Sequence, residues 1–143
     1  MVLTARSFVY KTLIGYPGVT SLVGGFTNPR IWAKKTLTSG IEECPYIVYK
    51  LGNDTRESFA ETEPMTRQFF QVWVHDFHDG EIGDYDKIDE IIRQVNKAFF
   101  LRNSAPDGIF ATEFLETSQD LNDETLNTLF RYSRFNLIRK APQ

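Results

Sequence analysis

The residues with the most chemical potential sit in one short run, His75-Asp76-Phe77-His78-Asp79. Imidazoles with carboxylates between them can ligate a divalent metal. The spacing argues otherwise, because on a strand successive side chains alternate and His75 and His78 then point to opposite faces. Only a bend at the strand end would join them. The chain has 2 histidines in all, and its 1 cysteine, Cys44, is far away in sequence. The run therefore reads as a polar strand end and turn. Cys44 precedes Pro45 in a loop with no nucleophile motif around it. Gly15-Tyr16-Pro17-Gly18 and Gly24-Gly25 lack the lysine and spacing of a phosphate-cradling loop and read as helix stops. Asp84, Asp86 and Asp89 lack the glycine and terminal glutamate of a calcium loop. No catalytic residue, metal site or cofactor emerges, and the expectation is a non-enzymatic protein. A small metal-dependent enzyme built on His75 and His78 is the competing reading.

Charge points to partners. The 143 residues carry a net charge of −3, so no overall basic footprint marks the chain as a nucleic-acid wrapper. The charge is uneven. Asp76 to Glu90 holds seven acids against one base, Lys87, whereas Phe130 to Lys140 holds Arg131, Arg134, Arg139 and Lys140 and no acid. These are either two solvated faces or a head-to-tail interface between copies. The aromatic content, with 12 Phe, 6 Tyr and 2 Trp, suits protein–protein contacts. Phe130, Tyr132 and Phe135 among the arginines allow a further reading, the stacking of single-stranded nucleic acid. Met1–Tyr10 includes Arg6 and no apolar stretch of signal-peptide type. Nothing approaches the roughly 20 apolar residues of a membrane span. The expectation is a soluble protein made in a cytoplasm, with no membrane partner.

The elements that must position these residues form one α/β unit over residues 1–143. Ala5, Phe8, Val9, Thr12 and Leu13 fall at helical spacing over residues 3–14, with Thr4 as cap. Val19–Val23 adds a helical turn, and Ile31–Trp32 begins a short strand. Lys34–Glu43 is a polar loop. Tyr46–Leu51 and Met65–Phe77 are rich in β-branched and aromatic residues and read as strands. Thr55–Pro64 between them is a hairpin connection or exposed flap. Tyr85, Ile88, Ile92, Val95 and Phe99 define the best helix, about Tyr85 to Leu101, capped by Asp84. Ile109–Glu116 and Leu126–Ile138 are two further strands around a polar loop, Ser118–Thr125. The last strand is longer than a small sheet needs, so part of this terminal hairpin is expected to project and pair with a neighbour. The fold class expected is α+β: a mainly antiparallel sheet with helices packed on one face.

In this order, several segments resemble the bacteriophage tail-terminator and minor tail-completion family. They are the N-terminal helix, the glycine-marked loop, Arg30-Ile31-Trp32, the strand Cys44-Pro45-Tyr46-Ile47-Val48-Tyr49, the strand from Arg67 to Asp76, and the helix opening Tyr85-Asp86-Lys87-Ile88. Together they cover about two thirds of the chain. The terminal hairpin is similar in arrangement only. The resemblance implies a virion protein of the head-proximal end of the tail, assembled in the host cytoplasm as a ring, usually of six copies. Such a ring caps the tail tube protein, stops tube growth and offers a head-joining surface to the connector protein. DNA passes its lumen without specific binding. Under this reading Arg131, Arg134, Phe135 and Arg139, with Phe59 of the flap, are interface candidates. Asp79, Glu81, Asp84 and Asp86 are lumen-facing candidates whose like charge keeps DNA from sticking. A head–tail connector or adaptor is the nearest alternative.

Overall fold

The computed structural model describes residues 4–33, 44–56, 65–77, 85–100, 108–124 and 128–140. The chain order is α1 (Ala5–Ile14), α2 (Pro17–Thr20), β1 (Ile31–Ala33), β2 (Tyr46–Arg56), β3 (Met65–Phe77), α3 (Asp86–Ala98), β4 (Ile109–Thr117), β5 (Leu121–Asp123) and β6 (Thr128–Lys140). The strands form one sheet in the order β1-β2-β3-β6-β4, with β5 also on β6. All pairs are antiparallel except β1 with β2. This is the expected α+β class.

Local chemistry accounts for the helices. Thr4 caps α1 by accepting a hydrogen bond from the Ser7 amide at 3.1 Å. Pro17 sits in the first turn of α2, where its missing N–H costs nothing. In α3 the apolar stripe Ile88, Ile91, Ile92 and Val95 is fully or almost fully buried. Its N-cap is Tyr85, with no side-chain capping bond; Asp84 lies outside the described residues.

Alternation decides what each face of the sheet carries. Ile47 and Tyr49 of β2, Phe70, Val72 and Val74 of β3, and Leu129, Phe135 and Leu137 of β6 share one core with Phe8, Val9 and Leu13 of α1 and the stripe of α3. All the helices pack on that face. Among the described residues no element packs on the opposite face.

The terminal hairpin departs from expectation. Every residue of β6 from Thr128 to Lys140 is in register with β3, from Phe77 back to Met65. Its length is used inside the sheet, so β6 is an interior strand and does not project. The outer position is taken by β4, which slips register at Ile109/Ala111 and at Phe114/Glu116, and then by β5. Bulges of this kind bend an edge strand and blunt it against unwanted pairing.

Candidate functional site

The helix-free face is built by the other half of each strand's residues. Register places Trp32 beside Val48, Val48 beside Trp73, and Trp73 beside Tyr132; one step along, Tyr46 faces His75 and His75 faces Phe130. Neighbouring strands lie about 4.8 Å apart, so upright rings in register must stack. They do. Ring centroids are 5.6 Å apart for Trp32–Tyr46, 4.9 Å for Tyr46–His75 and 5.0 Å for His75–Phe130. Trp73 stacks on Phe130 at 5.3 Å and on Tyr132 at 4.8 Å. The result is a plate of rings running from β1 to β6.

This geometry bears on the nucleic-acid reading. Binding by base stacking needs open ring faces. Here the faces lie against one another, and Tyr46 and His75 are buried within the plate. Phe135 does not belong to the plate at all.

Cations border the plate. The Lys50 ammonium lies 4.3 Å from the Trp73 ring centre, and the Arg134 guanidinium 4.5 Å from that of Phe69. Lys50, Gln71 and Arg134 are register partners across β2, β3 and β6. Gln71 accepts a hydrogen bond from the Trp73 indole at 3.1 Å, which fixes both side chains. A recess of about 490 Å³ opens here, lined by Lys50, Gly52, Asn53, Phe69, Gln71 and Arg134 among others. It exists because β2 slips register between Leu51 and Asp54. Gly52 contributes no side chain there; a Cβ would stand only 3.2 Å from the Cβ of Phe69.

The residues singled out from sequence fare differently. His75 is buried between Tyr46 and Phe130, and its Nδ1 lies 2.9 Å from the Thr128 hydroxyl. Burial pushes its pKa down to about 4; Asp123 pulls the other way and Lys50 adds to the lowering. Both ring faces are covered, so it is placed as a core aromatic. His78 lies outside the described residues, and among those described no group of three His, Cys, Asp or Glu is arranged to hold a metal ion.

Phe135 is a correction: it is fully buried and packs against Phe70, Phe99 and Phe114 at 5.0, 5.1 and 5.8 Å. As an odd-numbered β6 residue it points to the helices, whereas Arg134 points away from them. Arg139 is partly buried near the end of β6. Phe59, Asp79, Glu81 and Asp84 lie outside the described residues; Asp86 is exposed in the first turn of α3.

Arg131 has partners inside the subunit. The acidic and basic runs meet there within one chain. Arg131 bonds Asp89 of α3 at 2.6 Å, lies 3.6 Å from Asp120, and donates twice to the Ser118 carbonyl, at 3.1 and 3.0 Å. It ties α3 to the β4–β5 connection. Arg131→Ala is expected to cost about 2 kcal/mol, mostly through the charge-assisted bonds to the carbonyl, because the half-exposed Asp89 pair is screened by solvent. Urea unfolding of the variant checks this, and a loss that vanished in high salt would assign the effect to the ion pair instead.

Sequence reading missed Lys50, Gln71 and Trp73 as one site. The alternation Tyr46, Val48, Lys50 was available as a signal for the shared face, but the register that sets Lys50 beside Arg134 was not. It also left unassigned the exposed rings Phe26, Phe77, Phe100 and Phe114, of which Phe26 is 82% exposed.

The fold and face together define a small α+β domain whose second sheet face carries the ring plate, with Tyr46, Val48 and His75 buried in it. No protein-family profile matches the chain, and no curated protein matches it. Among solved structures, a chain of the "Virion of native gene transfer agent (GTA) particle" is similar, with a TM-score of 0.66 and 14% identity, over 93% of this chain and 92% of that one. At that identity the likeness is one of fold.

Proposed function

We propose that this chain is a non-enzymatic structural virion subunit that caps the head-proximal end of a phage tail tube as a ring, stops tube growth and presents the head-joining surface. The observation that carries this reading is the end-to-end fold likeness to a chain of a phage-like virion particle, 93% against 92% coverage. A shared fold alone permits many functions, and the site supplies the rest of the support. A pre-stacked plate of rings is rigid, and binding through it orders few side chains, which suits a permanent interface. The buried His75 is already committed to packing. The subunits assemble with the tube protein and the connector protein, and DNA passes the lumen without specific binding. Asp86, with Asp79, Glu81 and Asp84, faces that lumen under this reading.

Negative-stain electron microscopy of lysates from a particle-producing genome lacking this gene tests the proposal. Overlong or irregular tails detached from filled heads are the expected result. Normal-length tails lying beside heads would transfer the role to a connector or adaptor. Intact, infectious particles would remove the assembly reading altogether.

A further inference from the structure

The recess on the face opposite the helices holds two cations, and among the described residues no anion of matching strength meets them. Lys50 has no carboxylate within 4 Å among the described residues, and its ammonium lies over the Trp73 ring. Arg134 has only Glu116, at 3.7 Å and half exposed. Their side chains leave the sheet two strands apart, roughly 10 Å, and both heads are steadied on rings. That spacing leaves room for one carboxylate between them. Gln71, in the same row, supplies a neutral floor held by its bond to Trp73.

The chain carries an acidic group at a different place. At the β4–β5 connection, Asp89 and Asp120 share the single guanidinium of Arg131. Two carboxylates on one cation leave net negative charge. Asp120 is the looser of the two, at 3.6 Å and with its side chain 64% exposed. Asp123 and Glu124 follow it in sequence. Arg131 and Arg134 stand on opposite faces of β6. The acidic corner therefore lies on the helix side and the recess on the other, and one subunit cannot bring them together.

Resting on the ring reading above, we propose that the Lys50–Gln71–Arg134 recess of one subunit receives a carboxylate of the Asp120 corner of a second copy. Two different patches meeting in this way make a heterologous contact, the type that closes into a ring or grows as a filament. Charge complementarity fixes the register of such contacts and speeds their formation.

Sedimentation velocity of the purified chain at low and high salt tests this. Lys50→Glu with Arg134→Glu is expected to weaken self-association by at least about tenfold. Adding Asp120→Lys and Glu124→Lys to the same chain restores it, because both patches are then reversed. Circular dichroism confirms that each variant is folded. Unchanged association of the first variant, or no recovery in the folded second one, would overturn the recess assignment while leaving the ring intact. A reversal that abolished retention of duplex DNA but spared self-association would also overturn it. A wild-type chain that stays monomeric alone and on purified tube ends would instead sink the ring reading itself.

Discussion

Phe135→Ala is expected to cost about 3–5 kcal/mol of folding stability, as truncation of a fully buried aromatic does. Phe135 is 0% exposed and stands among Phe70, Phe99 and Phe114. Removing its ring leaves a cavity between β3, β6 and the end of α3 that interior strands cannot close. Any loss of assembly in this variant should follow from unfolding and track the unfolded fraction. Urea titration with tryptophan fluorescence reads the change. A cost under about 1 kcal/mol, together with lost association, would mean that Phe135 acts at a surface.

Acid should destabilise the protein through His75. The folded ring stays neutral down to about pH 4 because burial opposes its charging, whereas in the unfolded chain it takes a proton near pH 6.5. Between those values the unfolded state binds more protons, so stability falls as pH falls through that window. Above it both states are neutral, and below it both are charged, so neither region adds to the effect. The full difference is about 3 kcal/mol. Unfolding midpoints measured from neutral pH to pH 4 should drop accordingly. In His75→Phe with Thr128→Val, which keeps the stack and removes the buried hydroxyl left without its partner, this part of the slope should disappear. Glu90, whose pKa is lowered to about 2 by hydrogen bonds from Arg93 and Gln94 and by the Arg93 charge, takes up its proton first in the unfolded chain and adds a slope of the same sign at the acid end of the window; that slope is common to the wild type and the variant and cancels in the comparison.

Much of the fold was legible because period and punctuation are local. The Thr4 cap, the α3 stripe and the bounds of β3 follow from side chains within a few residues of one another. The site was less legible because it depends on register. Nothing in Phe130 to Lys140 says that this strand lies between β3 and β4, and its length alone suggested projection. Once it is interior, alternation sends Phe135 to the core and Arg134 to the opposite face. Charge counting likewise found the acidic and basic runs but not the bond that joins them from Arg131 to Asp89. The recess depends on a slip of register at Gly52, which a turn-like Gly-Asn-Asp had marked as a strand end.

The interior place of β6 also sets when the molecule can come into being on the ribosome. His75 and Thr128 are 53 positions apart yet bonded, and the pairing around them builds the middle of the sheet. Contacts that distant in sequence form slowly, because a long loop must close before they give any return. A nascent chain that stops short of Thr128 has β2 and β3 paired, with one long edge of β3 bare and the ring plate cut at His75. It can complete neither the core nor the ring plate. Both are withheld until β6 has been synthesised, and under the assembly reading proposed above an incomplete chain is excluded by its own missing strand.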